Sequence, residues 1–469
     1  MHSDHPDVVA ATWRISGAFA QGPTMIRDAA RRIPIVSISG TNGKSTVTRM
    51  IAHVLGRAGR RVGSTTSDGI IVDGRMVEPG DWTGPGGAVA ILGRSDVEVA
   101  VLETARGGIL LKGVGYESNE ASILTNVSSD HLDLQGIHTL PELAAAKATI
   151  CRITKPEGWV ILNADDPHVA AVAGLVRARV AFFSMEPVAS PVLRDHVERG
   201  GRAFVVRRNA LVELEGGEAR AIVGVDEIPA TLGGLARHNV ANALAAAGGA
   251  RALGATIGQV ADGLRDFRPS AKRSPGRLNL FRRGRQVVIV DFAHNEAGME
   301  ALLDVAEGIA GGGAARTWPV TLIVGGAGDR PDDTLRGLGR IAGARAERVA
   351  IKESLTYLRG RDRAGMVELL RAGIAEAAAD AMASGRTPIE PALVPVYETE
   401  VAALRTELAL AGGPDVDGRP DQPSVVALMC HAEREDVFAL LADLGAHPVD
   451  APAELRELVP RLAARPRRR

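Results

Sequence analysis

The sequence predicts an α/β protein of two domains. The first is a P-loop-type central domain with a mainly parallel sheet and a small antiparallel patch, and the second is a Rossmann-like α/β domain. Three observations support this prediction. Apolar runs of strand length alternate with helical patterns from residue 33 onward, polar or glycine-rich turns follow these runs, and a stretch rich in proline and arginine divides two such series. This alternation is typical of parallel sheets whose strands are joined by crossover helices.

The first series contains five strand-like runs, at residues 33–39, 97–103, 121–127, 159–164 and 178–184. Residues 190–235 have a different character, because their short apolar runs are separated by glycines and charged turns. This pattern indicates an antiparallel patch appended to the first domain. A helical segment that starts at Asn239 and ends in glycine follows the patch.

A second series of strand-like runs lies at residues 286–293, 320–326, 348–354, 393–398 and 424–430. Residues 265–277, which include Pro269 and Pro275, predict the linker between the two series. We therefore expect an N-terminal extension over residues 1–32, a central domain over 33–270, a second α/β domain over 271–455 and a basic tail over 456–469.

The composition argues against nucleic-acid and membrane partners. The 55 Lys and Arg residues balance 56 Asp and Glu residues, which gives a net charge of -1, and aromatic residues make up only 3% of the chain. The chain therefore lacks a global field for polyanions and is poor in base-stacking side chains. Two cysteines are too few for a disulfide framework, and no run reaches membrane-spanning length. We expect a soluble, cytoplasmic protein.

Residues 33–46, IPIVSISGTNGKST, form an apolar run that breaks into a glycine turn. Backbone N–H groups freed by Gly40 and Gly43 can wrap a triphosphate. The Lys44 ammonium supplies positive charge, and the Ser45 hydroxyl suits Mg²⁺. The general GxxxxGK[ST] pattern would place a glycine where this chain has Ile38. The compact turn still predicts ATP binding, with a ligand-free strand-to-helix turn as the alternative.

Carboxylates and a histidine follow two later strand-like runs. Glu103 ends the run at 97–103, at the sheet edge where α/β proteins bind ligands, and it suits Mg²⁺. The loop at 125–133, TNVSSDHLD, places Asn126, Asp130, His131 and Asp133 after the next run. These groups predict a metal site beside the phosphates. The alternatives are an exposed glutamate that begins a loop and a structural histidine.

Thr139 and Glu142 have the spacing of a capping box and predict a helix start, with Pro141 tolerated in the first turn. The helix carries one lysine, Lys147. On its chemistry alone, Lys147 is expected to be a solvated helix residue.

The order of the motifs resembles the Mur ligase superfamily over residues 33 to about 300. The resemblance rests on GTNGKST, ETARGG, TNVSSDHLD, a lysine about four helical turns after the histidine, LNADDP, HNVANALAA, SPGRLNLF and DFAHNEAG. Further motifs are similar to the Mur-ligase-type half of cyanophycin synthetases, and this likeness continues more weakly to about residue 370. They are TTSDGI, DWTGP, VLETARGGIL, AFFSM and GDR.

The resemblance implies an ATP-dependent ligase that joins a carboxylate to an amine through an acyl phosphate. The implied phosphate cradle comprises Gly40, Thr41, Asn42, Gly43, Lys44, Ser45 and Thr46. Ser45 and Glu103 would share one Mg²⁺, and His131 would bind a second metal ion. Lys147 matches the family lysine that is carbamylated by CO₂. Its carbamate would turn a cation that repels Mg²⁺ into an anion that can bind or orient it.

The resemblance also implies nucleotide contacts outside the cradle. Asn239 in HNVAN would face the adenine. Arg277 in SPGR and Asp291 in DFAHN would reach the phosphates and ribose from the second domain. His294 lies in the same nucleotide-facing loop.

The substrates are less well defined by the sequence. Only 32 residues precede the first strand-like run, so we do not expect the UDP-sugar domain of the cell-wall ligases. The ATP-grasp half of cyanophycin synthetases is also outside this sequence, and a separate ATP-grasp ligase is a possible partner. The loop at 352–363, KESLTYLRGRDR, lacks the acidic run typical of that subgroup, which leaves arginine in doubt as the amine.

The acceptor is expected to be a peptide-like or small molecule with a carboxylate, and the donor an amino acid or amine. A folylpolyglutamate synthetase-like ligase and a nucleotide-binding subunit remain alternatives.

Cys430 and His431 end the last strand-like run and suggest a nucleophile with its base. Adjacent strand residues point to opposite faces, however. We therefore expect Cys430 to be a buried thiol.

Overall fold

The computed structural model describes residues 25–129, 136–311, 317–353, 357–412, 415–416, 419–420, 422–450 and 452–458. The chain divides into two compact units. The first ends at Thr231 and resumes over His238–Phe267, while the second comprises Leu232–Arg237 and the chain from Arg268 onward. Among the described residues, none of the helices combines the length and the apolar character needed to cross a bilayer.

In the described part of the first unit the strands are β1 (Ile35–Ser39), β2 (Val62–Thr66), β3 (Gly69–Val72), β4 (Arg75–Pro79), β5 (Val99–Glu103), β6 (Asn119–Leu124), β7 (Thr154–Asn163), β8 (Arg179–Ser184), β9 (Arg202–Arg207), β10 (Ala210–Glu215) and β11 (Glu218–Gly224). The helices are α1 (Lys44–Arg57), α2 (Pro85–Leu92), α3 (Arg106–Lys112), α4 (Leu140–Lys147), α5 (Thr149–Arg152), α6 (Pro167–Ala170), α7 (Pro191–Glu198), α8 (Arg237–Ala252) and α9 (Ile257–Asp266).

These strands form one sheet in the order β11-β10-β9-β8-β7-β6-β1-β5-β2-β3-β4. The stretch from β9 to β2 is parallel throughout, and both edges are antiparallel. The predicted mainly parallel sheet is confirmed. The central strands are buried on both faces, which is why they read as continuous apolar runs rather than alternating ones.

Helices cover both faces of the parallel region. One hydrophobic core joins the sheet to α1, α8 and α9 through residues such as Met50, Leu244 and Val260. Another joins it to α4, α5, α6 and α7, with Leu143 and Val169 among its buried side chains. The helix that carries Lys147 ends at that residue, and the short helix α5 follows after Ala148.

The antiparallel patch at 190–235 contains β9, β10 and β11, together with helix α7. A second antiparallel extension, β2-β3-β4, lies at the opposite edge and was not predicted. Its turn had a recognisable signal, because Asp73-Gly74 stands between two apolar runs. Both residues have positive φ, 48° and 73°, as the two-residue hairpin turn requires.

In the described part of the second unit the strands are β12 (Asn279–Arg283), β13 (Gln286–Asp291), β14 (Val320–Val324), β15 (Arg348–Lys352), β16 (Val396–Tyr397), β17 (Asp415–Val416), β18 (Arg419–Pro420), β19 (Ser424–Met429) and β20 (His447–Pro448). The helices are α10 (Glu296–Ile309), α11 (Asp332–Arg345), α12 (Arg363–Glu376), α13 (Ala378–Ala383), α14 (Glu400–Gly412), α15 (Arg434–Asp443) and α16 (Pro452–Leu458).

The main sheet of the second unit has the order β16-β15-β14-β19-β13-β12-β20, with β16 to β13 parallel. This arrangement confirms a second, mainly parallel α/β domain. The run at 393–398 contributes only Val396–Tyr397, because residues 391–393 form a 3₁₀ turn. Strand β12, which begins within SPGRLNLF, was not predicted as a strand and pairs antiparallel with β13.

Gly263 allows helix α9 to approach helix α1 closely. A Cβ atom built on Gly263 would lie 2.7 Å from Val54 Cγ2 and 2.8 Å from Val54 Cα, so the two backbones approach too closely for a side chain. Gly258, on the same helix, is exposed, and its nearest neighbour would be the Thr256 hydroxyl at 3.9 Å.

We predict that Gly263→Ala lowers the free energy of unfolding by about 1–3 kcal/mol, because the added methyl forces α9 away from α1. The matched control Gly258→Ala should leave stability unchanged or raise it by up to about 1 kcal/mol, since alanine favours a helix. Urea unfolding of both variants is the measurement. Equal stability of the two variants would contradict the close approach.

Candidate functional site

The sheet of the first unit brings five sequence motifs to one edge. Strands β7, β6, β1, β5 and β2 are consecutive and parallel, so their carboxyl ends face the same way. The motifs that follow them are LNADDP, TNVSSDHLD, GTNGKST, ETARGG and TTSDGI. The carboxyl edge of a parallel sheet is where α/β proteins bind ligands.

The glycine turn after β1 has no room for side chains. Gly40 has φ of 146°, and a Cβ atom there would overlap the Thr125 hydroxyl. Gly43 has φ of 87°, caps α1, and would direct a Cβ atom into the Asn242 side-chain oxygen. The turn therefore requires glycine at both positions for conformation and for space. A helix start with such a turn is suited to binding phosphate.

The loop after β6 holds this turn through side-chain hydrogen bonds. Asn126 Oδ1 accepts a hydrogen bond from the backbone N–H of Asn42 at 2.9 Å, and Asn126 Nδ2 donates to the Asn42 carbonyl at 3.0 Å. The Thr125 hydroxyl donates to the same carbonyl at 2.7 Å. The backbone N–H of Thr41 donates to the Asn126 carbonyl at 2.8 Å. Asn126 thus pairs with the turn as a neighbouring strand would.

The LNADDP motif after β7 holds the loop that follows β6. Asn163 Nδ2 donates to the Thr125 carbonyl at 2.9 Å. Asp166 Oδ2 accepts from the backbone N–H of Val127 at 2.7 Å, while its other oxygen caps α6. The sequence did not predict a role for Asn163 or Asp166, although an aspartate before proline is a helix-start signal.

Two lysines reach the carbonyls of the glycine turn. Lys44 Nζ donates to the Thr41 carbonyl at 2.7 Å, and Lys147 Nζ donates to the Gly40 carbonyl at 2.7 Å. Lys147 is only 5% exposed, so the expectation of a solvated residue, made from its chemistry alone, is wrong. The cause lies in its helix, which starts at the predicted Thr139–Glu142 capping box and ends with Lys147 beneath the turn.

Ser45 and Glu103, the predicted magnesium ligands, differ in the hydrogen bonding of their side-chain oxygens. Ser45 is 4% exposed, and its hydroxyl lies 3.4 Å from that of Ser67. Glu103 is 3% exposed, and its Oε2 has no hydrogen-bond partner among the described residues. A buried carboxylate oxygen without a donor fits a cation ligand, because buried polar groups are otherwise paired.

His131 lies outside the described residues, as do Asp130 and Asp133. Within the part of the chain that the structure describes, no group of three or more His, Cys, Asp or Glu side chains could hold a metal ion. The metal contacts of Ser45, Glu103 and His131 stay predictions.

The TTSDGI and DWTGP motifs pack beside the site. Asp68 forms a buried ion pair with Arg49 of α1 at 2.6 Å. Asp81 accepts hydrogen bonds from the backbone N–H and hydroxyl of Thr83, at 3.0 and 2.6 Å. The Thr83 carbonyl accepts from the Ala105 N–H, directly after β5. These motifs therefore shape the surroundings of α1 and of the strand that carries Glu103.

Asn239, the predicted adenine contact, is buried in the first unit. Its Nδ2 donates to the Ala230 carbonyl at 2.9 Å, and its Oδ1 accepts from Asn242 Nδ2 at 3.0 Å. Asn242 in turn contacts the glycine turn, as described above. The Asn242 side chain thus connects Asn239 to the glycine turn. The contact of Asn239 with adenine stays a prediction.

Arg277, Asp291 and His294 come together in the second unit. Asp291 Oδ2 accepts a hydrogen bond from the Leu278 N–H at 2.7 Å, which joins the SPGR and DFAHN loops. The Arg277 guanidinium lies 4.8 Å from the centre of the Phe292 ring, and His294 Nδ1 is 3.1 Å from the Phe292 carbonyl. These three residues therefore occupy one loop cluster, and their nucleotide contacts stay predictions.

The Arg-Gly-Arg sequence at 359–361 holds the GDR turn. Arg361 donates to the carbonyls of Gly328 and Arg330, at 3.1 and 3.0 Å. Arg359 pairs with Asp329 at 2.5 Å. Both arginines are therefore engaged within the second unit. Residues 354–356 of the same loop lie outside the described residues.

Cys430 is a buried free thiol, as predicted. Its Sγ donates to Glu400 Oε2 at 3.1 Å, and burial together with this carboxylate raises the pKa of the thiol. A neutral thiol is a poor nucleophile. His431 instead contacts Lys352, at 3.0 Å from Nδ1 to Nζ, so the two adjacent residues do not form a nucleophile–base pair.

The sequence of this chain is similar to those of known amide-forming ligases. Residues 38–250 match the Mur ligase middle domain. The cyanophycin synthetase of Synechocystis sp. is 42% identical over 343 residues, which cover 73% of this chain and 38% of that protein. The UDP-N-acetylmuramoylalanine--D-glutamate ligase of Symbiobacterium thermophilum is 31% identical over 264 residues, covering 56% of this chain and 50% of that enzyme. The chain thus spans about two fifths of the cyanophycin synthetase, 38% of its length.

Solved structures share the fold. The Mycobacterium tuberculosis folylpolyglutamate synthase, solved with ADP and AMPPCP, has a TM-score of 0.59 at 21% identity and covers 94% of this chain and 100% of that one. A bifunctional folylpolyglutamate synthase/dihydrofolate synthase, solved with Mn, AMPPNP and L-glutamate, has a TM-score of 0.60 at 17% identity. It covers 88% of this chain and 89% of that one. At such identities the likeness shows the fold alone.

We predict that Gly43→Ala abolishes nucleotide binding and lowers the free energy of unfolding by about 1–2 kcal/mol, because alanine is strained at positive φ. Gly56→Ala in the same helix is the control, since a Cβ atom there meets nothing within 4 Å. It should retain binding and full stability. Calorimetric titration with ADP and urea unfolding measure both effects, and normal ADP affinity in Gly43→Ala would refute the phosphate turn.

Proposed function

We propose that this chain, whose residues 38–250 match the Mur ligase middle domain, is an ATP-dependent ligase that forms amide bonds. It would join an amino acid or amine to a carboxylate of a peptide-like or small acidic acceptor and release ADP and phosphate. The observation that carries the proposal is the glycine turn, flanked by the buried Nζ of Lys147 and by a Glu103 carboxylate oxygen that has no hydrogen-bond partner among the described residues. A location in the cytoplasm is part of the proposal.

The reaction would proceed in two transfers. An acceptor carboxylate oxygen attacks the γ-phosphorus of ATP, which breaks the bond to ADP and forms an acyl phosphate. The amine then attacks the acyl carbon, phosphate leaves with the C–O electrons, and the amine loses a proton. This chemistry requires positioning and charge neutralisation more than covalent help from the protein.

The residues around the turn suit these tasks. The N–H groups of the turn and the Lys44 ammonium would bind the phosphates. Ser45 and Glu103 would hold Mg²⁺, which neutralises charge on the transferred phosphoryl group when bound. Both folylpolyglutamate synthase structures were solved with nucleotides, and one of them with Mn, which supports ATP and a divalent metal as ligands here. His131 is proposed to bind a second ion.

Lys147 is proposed to act as a carbamate. Its Nζ amine would add to CO₂, forming an N–C bond and losing one proton. Its side chain is buried, and its Nζ lies 2.7 Å from the Gly40 carbonyl, so the nitrogen that would be carbamylated is beside the glycine turn. The carbamate would place a negative charge near the phosphate turn, where it can bind or orient a metal ion.

Asn239 is proposed to contact the adenine, and Arg277, Asp291 and His294 to contact the phosphates and ribose. The shared loop cluster of Arg277, Asp291 and His294 supports a common role for these three residues. These contacts can be tested by nucleotide affinity without knowledge of the acceptor.

A screen of acceptors against amino acids, followed by phosphate release, tests the proposed function. We expect release that requires both ATP and a carboxylate acceptor and is lost in Lys44→Ala. Acidic peptides with an amino acid test the cyanophycin synthetase-like reaction, and a pterin-glutamate acceptor tests the folylpolyglutamate-like alternative. Nucleotide binding without turnover for any pair would favour a subunit that needs a separate ATP-grasp partner.

We predict that Lys147→Ala loses at least about 100-fold in ligation rate, and that bicarbonate or a short carboxylate partly restores it, because the missing carbamate is replaced from solution. Lys112→Ala is the control, since that lysine is exposed on α3. Phosphate release measured with and without added acetate is the readout. A fully active Lys147→Ala variant would exclude the carbamate.

A further inference from the structure

The second unit contains a buried ion pair that the proposed chemistry does not use. Lys352 ends β15 and Glu400 begins α14, and their side chains are 0% and 1% exposed, with Nζ 2.5 Å from Oε1. The same carboxylate accepts hydrogen bonds from the backbone N–H groups of residues 431–433, at 2.7 to 3.2 Å. Burial alone would raise the pKa of Glu400, but Lys352 and these donors lower it to about 2. Glu400 is therefore a fixed anion that organises the turn after β19.

His431 is held in one tautomer by this pair. Burial lowers the pKa of Lys352, but the Glu400 carboxylate in contact with Nζ opposes this shift and keeps the lysine protonated. The ammonium can only donate, so Nδ1 of His431 is the acceptor at 3.0 Å. The ring is neutral, because burial and the Lys352 charge lower the pKa of His431 to about 3. The hydrogen of the neutral ring is therefore on Nε2, which donates to the Ala293 carbonyl at 2.6 Å.

Ala293 lies in the centre of the DFAHN loop, between Asp291 and His294. The rings of His431 and Phe292 also meet edge-on, with centroids 5.4 Å apart and an interplanar angle of 77°. On Phe292 lies the Arg277 guanidinium, 4.8 Å from the ring centre. His431 thus contacts both the backbone of this loop and the ring that supports Arg277.

We propose that His431 is a positioning residue that holds the DFAHN loop and, through Phe292, the guanidinium of Arg277. The inference rests on the proposed function for the claim that this loop meets nucleotide. The order of contacts is Glu400 to Lys352, Lys352 to His431, and His431 to Ala293 and Phe292. His431 transfers no proton. It holds the loop through the hydrogen bond from Nε2 to the Ala293 carbonyl and through its contact with the Phe292 ring.

The test compares His431→Ala with His431→Gln in the full chain. Glutamine can place an amide N–H near the position of Nε2, so it retains the donor to Ala293 and loses only the ring. Val437→Ala is the control for stability, because Val437 is fully buried in α15 and is not among the residues that form these contacts. Hydrogen exchange of the peptide over 291–295 reports on the loop, and titration with fluorescent ADP reports on affinity.

We expect amide exchange over 291–295 to speed up in His431→Ala, because the loop loses its hydrogen bond to the side chain at 431. The ADP dissociation constant should rise about 10-fold, in line with the loss of one partly buried hydrogen bond that orders the loop. His431→Gln should stay within about 3-fold of the wild type in affinity, and Val437→Ala should bind ADP normally despite its lost stability.

Unchanged exchange over 291–295 in His431→Ala would overturn the inference, as would equal losses of affinity in His431→Ala and Val437→Ala. Failure of the wild-type chain to bind ADP contradicts the proposed function instead. In that case the exchange experiment still decides whether His431 holds the loop.

Discussion

The glycine turn after β1 is the constraint around which the first unit is organised. Neither Gly40 nor Gly43 can carry a side chain, because the Thr125 hydroxyl and the Asn242 amide occupy the space that a Cβ atom would need. The turn is thus enclosed from the loop after β6 on one side and from α8 on the other. Its backbone conformation is imposed by the surrounding structure, which leaves the helix start preorganised for an anionic ligand.

The local features of this arrangement could be predicted from the sequence. Runs buried on both faces appear as continuous apolar segments, and the Thr139–Glu142 box fixed a helix start that the structure confirms. The β3–β4 hairpin had a clear Asp73-Gly74 signal that was not interpreted. The two-domain α/β fold could be predicted from these periodic patterns, whereas the hydrogen-bond partners of each polar residue could not.

The other features of the site depend on contacts between residues that are far apart in the sequence. Lys147 has the sequence context of a solvated helix residue, and only the packing of α4 beneath the turn buries it. Asp166 and Glu400 likewise accept backbone hydrogen bonds from segments 39 and 31 residues away, at Val127 and His431. No local pattern specifies such pairs, because they depend on which strands become neighbours. The Asp166 and Glu400 carboxylates stabilise loops through these partners, whereas one oxygen of Glu103 has no partner in the described part of the chain, an arrangement that costs stability.

The strand order of the first unit has a consequence for biosynthesis. Strand β1 lies between β5 and β6, and the hydrogen bond from Asn42 to Asn126 joins residues 84 positions apart. Asn242, which backs Gly43, is made later still. A nascent chain that has emerged only as far as β5 therefore contains the whole GTNGKST sequence without the walls that shape it. The turn can take its final shape only after Asn242 has emerged and the long loops have closed, and such long-range closure is associated with slow folding steps.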